Sequence, residues 1–221
     1  MNTKEQVLEM LSAGRITSAE SEELLLALNE PPRSWWRRIL NPFEGLNAVQ
    51  ALAWGVLGAL GGIALSRWNV RFDGALDLHP IANAVSISDA LADQVVAWPL
   101  TAAVFWGAAN ILARQLRFVD FLGYVGVARL PYLIPAAVAA SMKDQLSVAP
   151  EKLIASPPPG LLLLSLVTVP VVVWMVTWLW QGFRTASGLR GAKSGFLFVG
   201  ALVFAEVLSK LALGVFSFVR F

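Results

Sequence analysis

Ionisable side chains inside long apolar segments are the residues of this sequence that could support chemistry. Glu206 and Lys210 are four residues apart, so one face of a helix would carry both. Charged groups at membrane depth are costly and usually face protein or a water-filled cavity. The pair therefore predicts either a proton- or ion-coupling site or a local ion pair whose lysine extends towards the membrane surface, and the second interpretation is favoured.

Arg129 lies in another apolar segment, shortly before Pro131 and Pro135. Each proline removes a backbone donor, so a helix here must kink or break. A broken helix with an embedded cation could form a binding site. Alternatively, Arg129 extends to the membrane interface or pairs with Glu206. With Lys210, these residues make up the candidate intramembrane polar site.

Other chemistry lacks the residues that it needs. The chain has no Cys and one His, and His79 stands in a polar loop without evident ligand partners, so we predict a solvated histidine and no metal site. The run 188–194 only faintly resembles a phosphate loop, because Ala192 interrupts it and no strand precedes it. We therefore predict that the protein is not an enzyme and has no cofactor. A net charge of +2 predicts no nucleic-acid partner.

Five apolar stretches must position these groups, and each is long enough to cross a bilayer of ~30 Å as a helix of about 20 residues. They are Leu46–Ser66, Val95–Ala113, Phe121–Met142, Leu161–Trp180 and Gly195–Phe216. Barrel strands would be shorter and would alternate in polarity. The sequence predicts an all-α, polytopic membrane protein with five transmembrane helices in residues 46–221, in contact with the lipid bilayer.

Loop charges predict the orientation of these spans. With the N-terminus inside, eight Lys and Arg residues flank the inner ends and five flank the outer ends. This favours a cytoplasmic N-terminus and an outer C-terminus. The first thirty residues lack the apolar region of a signal peptide, so Leu46–Ser66 is expected to act as an uncleaved first span.

Residues 1–30 predict a cytoplasmic helical hairpin. Gly14 is a stop signal for a first helix, and Thr17 with Glu20 forms a capping-box pattern that opens a second one. This arrangement resembles the small SHOCT-like helical hairpins of bacterial membrane proteins. The resemblance implies a docking or oligomerisation element in residues 3–29, and the alternative is a short solvated extension.

Residues 31–45 predict an interfacial amphipathic linker that leads into the first span. Within Arg33–Glu44, helical spacing relates Trp36, Ile39, Leu40 and Phe43. Paired tryptophans beside arginines are typical of the headgroup region. The predicted interfacial anchor consists of Arg33, Trp35, Trp36, Arg37 and Arg38.

Small residues in the first span predict close helix packing. Gly55, Gly58 and Gly62 share a face, and the last two match a small-xxx-small motif. Packing within the chain is favoured over dimerisation, although a homo-oligomer stays open. At the second span, Ser88 is expected to cap the helix.

The run Phe121-Leu-Gly-Tyr…Leu-Pro-Tyr-Leu133, with the basic loop before the fifth span, resembles Yip-domain proteins. These are five-span proteins named for binding small Ypt/Rab-type GTPases. The resemblance covers about residues 46–218. The Asp-Leu-Tyr-Gly-Pro run of eukaryotic members is missing, since Asp93…Trp98-Pro99-Leu100 is the nearest equivalent. The resemblance therefore implies a prokaryotic relative in the cytoplasmic (inner) membrane, and GTPase binding does not carry over.

Two functions follow as hypotheses. The first is a non-enzymatic, Yip-like membrane scaffold or adaptor whose hairpin docks a protein partner or oligomerises. The second is a small solute or ion transporter or channel that uses a polar site between spans three and five.

Overall fold

The computed structural model divides the chain into two compact units, Met1–Ile39 and Leu40–Phe221. The residues that it describes are 3–29, 39–81, 83–113, 115–146 and 158–218. The predicted interfacial anchor (Arg33, Trp35, Trp36, Arg37 and Arg38) lies outside these described residues.

The first unit contains two helices, α1 (Thr3–Ser12) and α2 (Ser18–Asn29), which pack against each other. Gly14 turns the chain between them with a φ of +67°, a conformation that glycine adopts without steric cost. The predicted capping box is confirmed, because the Thr17 N–H donates to Glu20 Oε2 at 2.8 Å and the Glu20 N–H donates to Thr17 Oγ1 at 3.3 Å.

The second unit is an all-α integral membrane domain, as predicted. Five helices in the described part of the chain are long and apolar enough to cross a membrane: Ala48–Ser66, Ile87–Leu112, Phe118–Ser141, Pro159–Ser187 and Ala192–Gly214. We call them spans one to five. The helix of span five itself continues to Phe218. Span three is the most buried of the five.

Span two begins earlier than the apolar pattern indicated, and Ser86 rather than Ser88 caps it. Ser86 has extended backbone, and its hydroxyl accepts the Asp89 N–H at 3.0 Å. Ser88 is already inside the first turn. The predicted cap was therefore wrong by two residues, because only a residue with non-helical backbone can turn its side chain back onto the first free amides.

Span three is interrupted, as its prolines predict. An α-helix over Phe118–Ala128 is followed by a 3-10 turn over Leu130–Tyr132, and a second α-helix runs over Leu133–Ser141. Pro131 stands at the start of the 3-10 turn, where the missing N–H costs least. The interruption lies beside Arg129.

The chain just before span one does not continue the predicted interfacial helix to Glu44. Helical backbone ends at Leu40, and a 3-10 turn follows over Pro42–Gly45. Phe43 is 2% exposed and meets the Tyr124 ring edge-on at 5.0 Å. Its place in the helical pattern therefore reflects core packing rather than contact with lipid headgroups.

The glycine face of span one packs inside the chain. A Cβ at Gly55 would lie 2.8 Å from Trp98 Cζ2 and 2.9 Å from Gly126 Cα. One at Gly58 would lie 2.8 Å from the side chain of Leu130. Spans two and three therefore cover this face, and at Gly55 the Gly126 backbone approaches to a distance that only glycine allows. Gly62 belongs to the same face, where a Cβ would meet the side-chain amide of Gln94.

A short sheet joins spans one and two, and the sequence did not predict it. Strand β1 (Val70–Arg71) pairs antiparallel with β2 (His79–Pro80), and Arg71 is opposite His79. We call residues 67–86 the β-loop. Its Val70, Phe72 and Ala75 side chains are buried, so the loop forms part of the core rather than a solvated connection.

Candidate functional site: a polar cluster where the β-loop meets spans three and five

Span three holds the β-loop through its helix interruption. Arg129 Nη1 donates to the Gly74 carbonyl at 3.2 Å, and the Tyr132 hydroxyl donates to the Leu76 carbonyl. Both donors are brought to the loop by the turn around Pro131. Gly74 and Leu76 lie between the two strands, so the sheet does not pair their carbonyls. Side chains at the interruption of span three supply the donors instead.

Span five holds the same loop segment from another side. Glu206 Oε2 accepts the Leu76 N–H at 2.8 Å. A Cβ at Gly74 would lie 2.7 Å from Glu206 Oε1, so a side chain there would collide with the carboxylate. Leu76 therefore has both its N–H and its carbonyl bound by span side chains.

Lys210 adds a charge contact at the same place. It forms an ion pair with Asp77 and lies 4.0 Å from Asp73 Oδ1 and 3.8 Å from Glu206 Oε1. The local pair predicted from the i,i+4 spacing is present, but the β-loop carboxylate of Asp77 is the closer partner. Lys210 is 46% exposed, so these contacts are solvated and individually weak.

His79 is not the partnerless histidine that the sequence predicted. Its Nδ1 lies 3.5 Å from Asp73 Oδ1 and 3.5 Å from Asp77 Oδ1. The hydrogen bond with Asp77 raises the pKa of His79 above its ordinary value, against the opposing effect of burial. The same bond, followed by the one from Lys210, holds the pKa of Asp77 well below its usual range. The prediction failed because the loop backbone, not local spacing, brings these groups together.

A second ion pair fixes the β-loop to span two. Arg71 Nε and Nη2 donate to the two carboxylate oxygens of Asp93 at 3.0 and 3.2 Å, a bidentate geometry. Asp93 is buried, and its hydrogen bonds raise the pKa of Arg71. The sequence pattern did not predict this pair, because 22 residues and a strand separate its members.

The structure brings together three of the five residues of the predicted intramembrane polar site. Arg129, Glu206 and Lys210 converge on the β-loop, whereas Pro131 and Pro135 shape span three and are buried. Within the described part of the chain, Arg129 binds the loop backbone and forms no ion pair with Glu206.

The space beside Arg129 is small. A cavity of about 10 Å³ lies between spans one, two and three, next to Arg129, Tyr132 and Gln94. A volume of ~10–15 Å³ holds about one water molecule. In this conformation Arg129, Tyr132 and Glu206 hold the β-loop in place through hydrogen bonds to its backbone.

Three side chains of the cluster have the chemistry of metal ligands. Asp73, Asp77 and His79 each offer one ligand atom, and these atoms lie within 4.8 Å of one another. All three side chains are partly accessible, with 22 to 39% of each exposed.

Comparison with known proteins found no matching family model, no matching curated protein and no matching solved structure.

Proposed function

We propose that the protein is a non-enzymatic membrane scaffold whose N-terminal helical hairpin docks a partner protein. The observation that carries the proposal is that the hairpin belongs to a compact unit of its own, Met1–Ile39. Within it, the capping box of Thr17 and Glu20 stabilises the start of α2. A compact unit distinct from the membrane domain is what a docking element is expected to form.

The surface of the hairpin favours a basic, partly apolar partner. Residues 3–29 contain two basic and five acidic side chains, a net charge of −3 (2 minus 5). Leu24 and Leu28 are i,i+4 neighbours on α2 and are 41% and 39% exposed. An acidic surface disfavours contact with anionic lipid and association with an equally acidic second copy, so the occupant that we propose is a protein with a basic amphipathic surface.

We place the hairpin in the cytoplasm and the β-loop outside. The excess of Lys and Arg at the corresponding span ends supports this orientation. The Yip-like pattern of span three supports a prokaryotic, inner-membrane relative of that family. A single cysteine at Ala19, compared with one at Ala84 of the β-loop, which is also exposed, tests the orientation with a membrane-impermeant maleimide on intact cells. We expect only the cysteine in the β-loop to react, and the reverse result would overturn the orientation.

The transporter hypothesis is favoured by the convergence of Arg129, Glu206 and Lys210 on the β-loop. The cavity beside Arg129 weighs against it, because about 10 Å³ fits one water molecule and not a solute. Backbone groups of the β-loop also take up hydrogen-bonding capacity of Arg129 and Glu206 that a substrate would need. We therefore retain the scaffold as the function that the geometry supports best.

Site-specific photocrosslinking in native membranes tests the docking role. A photoreactive residue at Leu28 is expected to capture one protein, and Leu24→Ser or raised salt should abolish the capture. The matched control places the same photoreactive residue at Ala19, on the opposite face of α2 and also exposed. Equal capture at both positions, or capture of only a second copy of this chain, would refute docking of a basic partner.

A further inference from the structure

We propose that the β-loop carries a binding site for a divalent transition-metal ion, with Zn²⁺ as the best-fitting ion and His79, Asp73 and Asp77 as its ligands. This site is independent of the hairpin and would face the outer solution in the orientation proposed above. One imidazole and two carboxylates form a ligand set that zinc accepts, with water in the fourth position.

The distances between the ligand atoms suit a small ion. Two ligand atoms at ~2.05 Å from a tetrahedral zinc are about 3.3 Å apart. His79 Nδ1 lies 3.5 Å from an oxygen of Asp73 and 3.5 Å from an oxygen of Asp77. Two of the three edges of the site therefore already have nearly the required length.

The state of Asp73 points independently to a cation. Its Oδ1 is a buried atom that accepts no hydrogen bond within the described part of the chain. The same oxygen is the one 3.5 Å from His79 Nδ1 and 4.0 Å from Lys210 Nζ. This oxygen therefore has cationic neighbours but no bonded donor, and a metal ion would bind it directly.

The backbone that carries the ligands is already fixed. Gly74 and Leu76, which lie between Asp73 and Asp77, are bound by Arg129, Tyr132 and Glu206. The next ligand, His79, stands in β2, where the sheet fixes its backbone. Binding would therefore require side-chain adjustments rather than loop ordering, which lowers its entropic cost.

Lys210 is the built-in competitor of the metal. Its ammonium contacts Asp77 and approaches Asp73, so it occupies the position of the positive charge that the two carboxylates require. The side chain is 46% exposed at the end of a span and can swing into solvent. Removing this charge should therefore tighten metal binding, whereas a purely structural cluster would bind no metal in either form.

The single histidine gives the experiment one unambiguous signal. The chain contains one His and no Cys, so ¹⁵N-histidine labelling reports on His79 alone if the affinity tag lacks histidine. Full-length protein in lipid nanodiscs, treated with chelator, is titrated with Zn²⁺. We expect the Nδ1 resonance to shift and to saturate at one equivalent. Mg²⁺ should leave this resonance in place, because it prefers oxygen ligands and keeps its water.

Two pairs of variants separate a built site from general charge effects. Lys210→Met is expected to lower the Kd for Zn²⁺ about tenfold, within the range typical of changes around a metal site. Its control, Lys193→Met, removes an exposed lysine at the other end of span five and should leave the Kd unchanged. Asp73→Asn should raise the Kd about tenfold or more, and Asp144→Asn should not.

Misfolding of Lys210→Met would separate the three ligands and weaken Zn²⁺ binding. A gain of affinity in this variant therefore cannot arise from misfolding. An Nδ1 resonance that Zn²⁺ leaves unmoved in both the natural chain and Lys210→Met would overturn the site. Equal tightening by Lys210→Met and Lys193→Met would also overturn it, since the effect would then be one of net charge only.

Discussion

Replacing Gly55 by alanine should destabilise the membrane domain, although the same replacement would stabilise an isolated helix. Its added methyl carbon would lie 2.8 Å from Trp98 Cζ2 and 2.9 Å from Gly126 Cα. Carbon atoms pack best at about 3.5–4.0 Å, so each contact is too short by about 0.6–1.2 Å. Spans one and three can relieve the overlap only by moving apart.

Neither neighbour can yield cheaply. Gly126 presents backbone, and Trp98 is held by a hydrogen bond from its indole N–H to the Leu122 carbonyl at 2.7 Å. Overpacking of this kind costs about 1–3 kcal/mol, and two fixed neighbours place Gly55→Ala near the upper end. Alanine returns about 0.5–1 kcal/mol in a helix interior, which leaves a net loss of about 2 kcal/mol.

Gly107 in span two is the matched control, because a Cβ there would meet no atom within 4 Å. Gly107→Ala should be neutral or more stable by about 0.5–1 kcal/mol. The assay is reversible unfolding in mixed micelles with increasing SDS, followed by circular dichroism. If Gly55→Ala and Gly107→Ala unfold at the same SDS fraction, the close approach of spans one and three at Gly55 is wrong.

Three further perturbations test the contacts of the β-loop and the hairpin. Asp93→Ala leaves Arg71 without its bidentate partner. Loss of one member of a buried ion pair costs about 3–5 kcal/mol. Because Arg71 is one-third exposed, we expect the free energy of unfolding to fall by about 1–3 kcal/mol in the same assay. Glu206→Ala removes the acceptor of the Leu76 N–H, which should cost about 1–3 kcal/mol and raise hydrogen exchange at that amide. The capping hydrogen bonds hold the pKa of Glu20 below its ordinary 4.5, so the cap persists above that value and is lost as pH falls through the lowered pKa, which an amide NMR titration of the full chain can follow.

Each of these tests has its own control. Asp144→Ala removes an exposed acid that is not buried against the β-loop and should leave stability within about 0.5 kcal/mol of the natural chain. Glu206→Gln keeps an acceptor oxygen and should lose less protection than Glu206→Ala. In Glu20→Gln the acid-dependent step of the Thr17 amide should disappear, and a step that persists would show that another group causes it.

The helix-level features of this protein could be predicted from residues close together in sequence. An apolar run of about 20 residues crosses a bilayer whatever its neighbours are, because every backbone hydrogen bond is made inside the helix. The capping box at Thr17 and the break at Pro131 are likewise local, since a missing N–H or a side chain three residues away acts within one turn. These predictions held.

The site depends on the tertiary structure instead. Leu76 and Glu206 are 130 positions apart, and Asp77 and Lys210 are 133 apart, so no spacing rule connects them. A two-stranded pairing, invisible in the apolar pattern, turns Asp73, Asp77 and His79 towards one another. The order of the residues alone shows that charged side chains lie in or near apolar segments. Which opposite charges meet is decided only by the folded chain. A charged group that loses water is costly unless it is paired, so the packing of the helices and the loop must bring each one to a partner.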